Sequence, residues 1–209
     1  MIGTIEKIKR HWLSLVIHGG ALLPLALLVW DYAQQRFLVD PVRETITRTG
    51  RIALTLLMLS LACTPVHSLT GWKGALRVRR PLGLYAFLYA ALHFLAFAGW
   101  DYGFDLRLLW QAIFYQRFVI VGFFAFLILL ILAITSTQRW QKRLGKRWKS
   151  LHRAVYLASL LVVVHFLWLV KEPTRPLRYG VVLALLLVMR IPWVKRSIVR
   201  VRKRLRGRR

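Results

Sequence analysis

The stretch that organises the chain is RLGKRWKSLHRAVYLASLLVVVHFLWLVK, which runs from Arg143 to Lys171. A basic segment, residues 143–153, leads into an apolar segment long enough to cross a bilayer as a helix. That helix carries two histidines, His152 at its entrance and His165 deep inside. Ionisable side chains within a bilayer are costly and usually functional. A second histidine at the depth of His165 would therefore indicate a shared site.

The composition indicates a membrane protein. Of 209 residues, 57% are hydrophobic, and the mean hydropathy is +0.51. The 33 Lys and Arg residues against 7 Asp and Glu would suit a nucleic-acid binder,. However, the basic residues fall between long apolar runs and at the tail, which is typical of a polytopic membrane protein facing anionic lipid. The single cysteine, Cys63, excludes an intramolecular disulfide and any Cys-based iron–sulfur or zinc site,.

Six apolar segments are long enough, or nearly long enough, to span a bilayer as helices. The sequence therefore predicts an all-α bundle of six transmembrane helices that forms one domain over residues 1–209. The tail is most simply a basic, lipid-facing segment. The predicted spans are about 11–30, 51–67, 82–100, 117–135, 151–170 and 177–194, and the basic tail covers 195–209.

The distribution of positive charge predicts the orientation. The two termini, the loop between spans 2 and 3 and the loop between spans 4 and 5 carry 24 Lys and Arg residues, and the other loops carry 9. Because positive residues concentrate on the cytoplasmic side, both termini are expected in the cytoplasm. Six of the seven acidic residues fall at or beyond the opposite ends of the helices.

The two deep histidines fall at matching depths. His93 lies 12 residues along the third predicted span, counted from Pro81, and His165 lies 14 residues along the fifth, counted from Leu151. At about 1.5 Å per residue their depths agree to roughly 3 Å. Two imidazoles at one level are able to hold a haem iron from both sides, in a six-coordinate centre suited to electron transfer. The alternative is that each histidine bonds a backbone carbonyl of a neighbouring helix.

The remaining histidines are open to several interpretations. His152 is either a ligand of a second haem, for which His67 has about the right depth, or an interfacial residue in the basic segment. His67 follows Thr64 and Pro65, where the second helix is expected to end. His18 is expected to bond a backbone carbonyl freed near Pro24 rather than a quinone oxygen.

Several ordered motifs resemble those of one family. The chain is similar to the haem-binding membrane subunits of bacterial periplasmic methionine-sulfoxide reductase systems, within the ferric-reductase-like transmembrane superfamily. The motifs are HGGALLP (18–24), Thr64-Pro65, RRPLGLYAFLYAALH (79–93), QRFVIVG (116–122), LAITST (132–137) and LGKRWKSLHRAVYLASLLVVVHFLW (144–168).

The resemblance implies a cofactor set and an electron route. It implies haem b held through His93, His152 and His165, an FMN, and electrons drawn from quinol or from a cytoplasmic flavin reductase. The expected acceptor is a periplasmic molybdopterin methionine-sulfoxide reductase that repairs oxidised proteins, and the expected location is the bacterial inner membrane. The chain is then an electron-transfer subunit rather than the catalytic one.

Charged residues near the helix ends are candidates for the anionic groups of these cofactors. Arg117 and Lys171 are expected near the depth of haem propionates, and Arg77, Arg79 and Arg80 are candidates for the FMN phosphate. Two other functions remain open: a ferric or cupric reductase that reduces a metal outside the cell, and a non-redox transporter or membrane anchor.

Overall fold

The chain forms a helical bundle, with no strand in the part that the computed structural model describes. That part is the backbone of residues 2–36 and 40–206, with the side chains of 12–36 and 40–204. Lys7, Lys9 and Arg10, which contribute to the predicted orientation, have side chains outside it. The helices are α1 (Ile2–Ala33), α2 (Pro41–Thr70), α3 (Lys73–Ala96) with a π-helical turn (Phe97–Asp101), α4 (Leu106–Tyr115), α5 (Arg117–Ile134), α6 (Gln138–Leu144), α7 (Lys146–Leu151), α8 (Ala154–Leu169), α9 (Thr174–Val188) and α10 (Pro192–Arg206).

Five helical stretches are long and apolar enough to cross a membrane, which confirms the prediction of an all-α, multi-pass membrane protein. They are Trp12–Ala33, Pro41–Thr70, Lys73–Asp101, Arg117–Ile134 and Lys146–Leu169. The sixth predicted span, 177–194, corresponds in the structure to most of α9 and the start of α10. The helix is interrupted just before Pro192, and the two helices bend by 76° relative to each other. Only if this bent pair counts as one span does the number reach six.

The second span begins ten residues earlier than predicted. Asp40 caps α2 by accepting a hydrogen bond from the backbone N–H of Arg43, and Pro41 occupies the first turn, where its missing N–H costs nothing,. The charged residues of this first part of α2 are typical of a loop, so hydropathy places the start of the span later. In the structure Arg48 lies between Asp31 of α1 and Glu44, with an N–O distance of 2.6 Å to each carboxylate. The ion pair with Asp31 ties α1 to α2.

Helix α2 also continues past the point where the sequence predicted its end. Pro65 lies inside the helix, which reaches Thr70 and is capped by Gly71 in the left-handed conformation. Because proline has no N–H, the carbonyl of Leu61 loses its helical partner. Arg190, at the break between α9 and α10, donates a hydrogen bond of 2.6 Å to that carbonyl and another of 2.7 Å to the Tyr156 hydroxyl. The freed carbonyl is thus satisfied from another helix.

Helix α10 crosses the end of the bundle instead of extending freely as a tail. Arg202 donates hydrogen bonds to the carbonyls of His67 and Ser68, in the last turn of α2. Ile198 and Val199 are partly buried, whereas Trp193 is 70% exposed. A strongly basic helix with apolar residues that turns across the end of a membrane bundle is typical of a segment lying in the membrane interface.

Two antiparallel helix pairs form the centre of the bundle, α2 with α3 and α5 with α8. Small side chains allow close approach: Ala86 and Ala158 are fully buried, and Ala125 is 1% exposed,. We call one end of the bundle the acidic end, because Asp31, Asp40, Glu44, Asp101, Asp105 and Glu172 lie there. The opposite end, with α6 and α7, is the basic end. Which end faces the cytoplasm stays a prediction.

We predict that the Arg190–Leu61 contact depends on Pro65. Arg190→Met should lower the free energy of unfolding by about 1–3 kcal/mol, since it leaves a carbonyl unpaired in a water-poor setting. In a Pro65→Ala background the loss should be smaller, because the substitution restores a backbone N–H that can pair with the Leu61 carbonyl. Unfolding in mixed micelles measures both values.

Arg202→Met is the matched control for this cycle. Its acceptors are not carbonyls freed by Pro65, so its effect should be the same in both backgrounds. Equal losses for Arg190→Met with and without Pro65 would contradict the proposed dependence.

Candidate functional site

The rings of His93 and His165 lie next to each other in the half of the bundle nearer the acidic end. Their centroids are 6.2 Å apart, and their planes are nearly perpendicular, at 86°. His93 belongs to α3 and His165 to α8, and each comes from one of the two central helix pairs. The two imidazoles, which the sequence placed at the same depth, therefore lie side by side in the structure.

His93 is seated against the backbone of α2. Its Nδ1 lies 2.8 Å from the carbonyl oxygen of Ile46, and since a carbonyl only accepts, Nδ1 carries the hydrogen,. A Cβ on Gly50, one turn further along α2, would lie 2.9 Å from this Nδ1. The glycine therefore makes room for the ring, and the hydrogen bond leaves the lone pair of Nε2 unused.

His165 is seated in the same way against α5. Its Nδ1 lies 2.7 Å from the carbonyl oxygen of Phe118. A Cβ on Gly122, again one turn further along, would come within 2.6 Å of Nδ1. Nε2 has no hydrogen-bond partner among the described residues. Both histidines therefore bond backbone carbonyls, as the alternative interpretation held, and both keep the second nitrogen free for a ligand bond.

The two seats repeat one local pattern. In each, the accepting carbonyl comes four residues before the glycine and 47 residues before the histidine. A histidine whose Nδ1–H is held by a backbone carbonyl has a fixed tautomer and a fixed ring orientation, and this is the usual outer-shell arrangement of metal-binding histidines.

The pair fits the axial ligation of a haem better than a bare metal ion. Two metal–imidazole bonds of about 2.0 Å each, plus about 1.2 Å from each nitrogen to its ring centre, give about 6.4 Å, close to the observed separation. Within the described residues no three His, Cys, Asp or Glu side chains are grouped as metal ligands. A porphyrin supplies four nitrogens to its iron, so two imidazoles complete a six-coordinate centre.

The surroundings of the pair are aromatic and apolar. The ring centroid of Phe118 is 6.1 Å from that of His165. Between α3 and α5, Phe94 stacks on Phe126 at 4.8 Å and contacts Phe123 at 6.0 Å. Flat aromatic side chains beside two imidazoles are a suitable lining for a large planar cofactor.

His152 does not join this pair. It ends α7 at the basic end, and it comes 13 residues before His165, about 20 Å along a helix,. Its Nε2 lies 3.2 Å from the Thr135 hydroxyl, and its ring packs on Trp148 at 4.1 Å. His67 makes a separate contact, with Nδ1 at 3.1 Å from the Trp72 carbonyl oxygen. The structure shows no contact between His152 and His67.

The charged candidates lie at opposite ends. Arg117 begins α5 and Lys171 follows α8, both at the acidic end, five and six residues from Gly122 and His165 respectively. Arg77, Arg79 and Arg80 belong to the first turns of α3 at the basic end, and Arg79 is the least exposed of the three. The structure therefore separates the predicted propionate residues from the predicted FMN residues by most of the bundle length.

The expected partner of His18 is wrong. Its Nδ1 bonds the Tyr85 hydroxyl of α3 at 2.7 Å rather than a backbone carbonyl near Pro24. The carbonyl of Ala21, close to Pro24, accepts instead from the fully buried Tyr89 at 2.6 Å. Two tyrosines one turn apart on α3 thus hold this part of α1.

Sequence reasoning missed Gly50 and Gly122. A glycine in a helix is ordinarily a weak signal, because many positions tolerate one. The useful signal was spacing: each glycine comes 43 residues before a deep histidine. That spacing has meaning only once the helix pairs are known.

Known proteins similar to this chain belong to one family of membrane proteins. Residues 49–163 match the family model described as ferric reductase like transmembrane component. The chain is 45% identical over 193 residues to the protein-methionine-sulfoxide reductase heme-binding subunit MsrQ of Xanthomonas axonopodis pv. citri (strain 306), covering 87% of this chain and 86% of that protein. It is 42% identical over 202 residues to the MsrQ subunit of Bordetella pertussis (strain Tohama I), covering 94% and 97%.

We predict that Gly50→Ala and Gly122→Ala each reduce the haem taken up when the purified protein is titrated with hemin. The added methyl group would displace the neighbouring imidazole, whereas alanine raises helix stability by about 1 kcal/mol over glycine. The fold should persist while the Soret absorbance per protein falls.

Gly180→Ala is the matched control, because a Cβ there meets only Val163 at 3.6 Å, an ordinary contact. Its haem uptake should equal that of the unaltered chain. Full haem uptake by both Gly50→Ala and Gly122→Ala would show that the glycines are not needed to seat the rings.

Proposed function

Since the chain belongs to the ferric-reductase-like transmembrane family, and within it to the MsrQ heme-binding subunits, we propose that it carries electrons across the bacterial inner membrane through haem b bound between His93 and His165. The observation that carries this proposal is the 6.2 Å separation of two imidazoles, each with Nδ1 on a backbone carbonyl and Nε2 free. Haem supplies one-electron oxidation and reduction when bound.

The residues around the site orient and shield the cofactor. The carbonyls of Ile46 and Phe118 fix the tautomers of the two histidines, and Gly50 and Gly122 allow the rings to reach them. Because both histidines come from packed helices and not from loops, their separation is fixed by the bundle. A centre whose ligands do not move between oxidation states loses little energy in reorganisation, which suits electron transfer.

The proposed route runs from the cytoplasmic side to the periplasmic side. With both termini in the cytoplasm, the His93–His165 pair lies in the outer half of the membrane. The proposed donor is quinol or a cytoplasmic flavin reductase, and the proposed acceptor is the periplasmic, molybdopterin-containing catalytic subunit that reduces methionine sulfoxide in damaged proteins. The relatives are heme-binding subunits of methionine-sulfoxide reductases, which supports this system as the acceptor.

The proposal also includes a second haem and an FMN, both at the basic end. Nε2 of His152 lies 3.2 Å from the Thr135 hydroxyl. To ligate a second haem at the basic end through Nε2, His152 would have to lose this hydrogen bond. Arg77, Arg79 and Arg80 would hold the FMN phosphate at the same end. The FMN is an expectation from the sequence motifs, and these three arginines beside the basic segment are the proposed partners of its phosphate.

A reductase of external ferric or cupric ions is the second candidate, favoured by the description of the matching family. The two functions share the haem and differ in the acceptor. Oxidation of the reduced protein by a methionine-sulfoxide reductase subunit, compared with oxidation by ferric or cupric chelates, separates them. A non-redox transporter would show no cytochrome bands in a reduced-minus-oxidised spectrum.

We predict that His93→Ala and His165→Ala each abolish the six-coordinate haem spectrum, because either change removes one of two axial ligands. His152→Ala should retain it. Absorption and magnetic circular dichroism spectra of the purified proteins measure the ligation. An unchanged spectrum in either of the first two variants would rule out the proposed ligand pair.

Arg117 and Lys171 should influence the reduction potential if they pair with the haem propionates. Arg117→Gln and Lys171→Gln are expected to lower it by about 10–40 mV each, since an exposed ion pair is worth about 0.2–1 kcal/mol and 59 mV corresponds to a factor of ten. Spectroelectrochemical titration gives the potentials, and Arg175→Gln, beyond the end of α8, is the control. No difference from the control would contradict the assignment.

A further inference from the structure

His18 is an ionisable residue with an exposed side chain on α1, within the candidate span Trp12–Ala33. Gly19 and Gly20 follow it, and a Cβ on either would have no atom within 4 Å, so α1 is uncovered on those sides as well. A polar side chain open to lipid calls for a partner that is itself dissolved in the lipid.

The imidazole is already held by one hydrogen bond. Its Nδ1 lies 2.7 Å from the Tyr85 hydroxyl, and the two rings meet edge to face at 5.6 Å. Nε2 has no partner in the described part of the chain. Because the tyrosine hydroxyl both donates and accepts, the pair can present Nε2 as an acceptor or as a donor without moving. Such a pair suits a ligand that changes between a hydroxyl and a carbonyl oxygen.

An apolar groove lies further along α1, beginning one turn after His18. It has a volume of about 490 Å³ and is lined by Leu22, Leu25, Ala26, Val29, Trp30 and Ala33. His18, Leu22, Leu25 and Val29 follow one another at helical spacing, so they share one face of α1. A ligand with a polar ring at His18 would therefore have room for an apolar tail beside it.

We propose that His18 and Tyr85 form a docking site for a membrane quinol, with Nε2 of His18 bonded to a quinol hydroxyl and the apolar tail along the groove of α1. This inference rests on the proposed function, because the electrons need an acceptor in the same chain. On α3, His93 comes eight residues after Tyr85, about 12 Å along the helix, with Tyr89 between them on the same face,.

A quinol that is oxidised to a quinone at this site loses two electrons and two protons. Each electron goes to the redox centre of the proposed function, in two successive one-electron transfers. One proton passes from the quinol hydroxyl bonded to His18 to Nε2 and then to water at the basic end, while Nδ1–H donates to the Tyr85 oxygen. The other proton leaves from the hydroxyl on the opposite side of the ring and passes directly to water.

The variant that separates this role from a purely structural one is His18→Asn. The shorter amide can keep a hydrogen bond to Tyr85, but it places nothing at the position of Nε2. In the haem-loaded protein in lipid nanodiscs, reduction by decylubiquinol should slow by roughly 100-fold or more, as expected for loss of a positioned base. Tyr85→Phe should slow it by about 3- to 10-fold, since one neutral hydrogen bond is lost.

Two controls accompany these variants. Tyr179→Phe removes another hydroxyl contact between helices, 3.1 Å from Thr55, and should leave the rate unchanged. Dithionite should reduce the haem in every variant. If decylubiquinol reduces His18→Asn at the unaltered rate, or if it fails to reduce the unaltered protein that dithionite reduces, the quinol site is overturned while the haem function stands.

Binding gives a readout that does not depend on haem. A photoreactive azido-ubiquinone should label the segment 12–33, decylubiquinone should compete, and His18→Asn should lose the label. Labelling without any dithionite-reducible haem would support the quinol site and contradict the proposed function. Labelling that added phospholipid removes but decylubiquinone does not would overturn the site in favour of ordinary lipid.

Discussion

The hydrogen bond from a histidine Nδ1 to a helix carbonyl is the interaction on which the rest of the structure depends. It forms only if the imidazole can approach the neighbouring backbone, and the approach needs a helix with no side chain at that point. Gly50 and Gly122 meet this requirement for His93 and His165. The closeness of α2 to α3 and of α5 to α8 follows, because each seat requires its two helices in contact.

Polar groups freed inside the bundle are paired with side chains from other helices. Pro65 leaves the Leu61 carbonyl without a helical hydrogen-bond partner, and Arg190 donates a hydrogen bond to that carbonyl. On α1, the Ala21 carbonyl accepts a hydrogen bond from the hydroxyl of Tyr89. In a setting without water, contacts of this kind fix the position of one helix relative to another. Pro65 and these polar contacts therefore help to specify the bundle around the two imidazoles.

The sequence predicted what hydropathy and depth along a helix can decide. It predicted an all-α membrane bundle and singled out His93 and His165 as a pair. It could not predict that α2 begins at Pro41, because the ion pairs of Arg48 depend on contact with α1. It also missed the bend at Pro192 and the bond between His18 and Tyr85. The start of α2 and the His18–Tyr85 bond depend on residues far apart in the chain, whereas hydropathy averages over neighbouring residues. The bend lies at Pro192, and a hydropathy average does not register the effect of a proline on the helix.

The paired histidine seats have an electronic consequence as well as a steric one. An imidazole that donates its Nδ1–H to a carbonyl becomes a more basic ligand through Nε2. If His93 and His165 hold a haem as proposed, two ligands polarised in the same direction would favour the ferric over the ferrous state of its iron. The backbone of α2 and α5 would then make the centre a better reductant, and a change of peptide geometry at Ile46 or Phe118 would retune its driving force without touching a ligand.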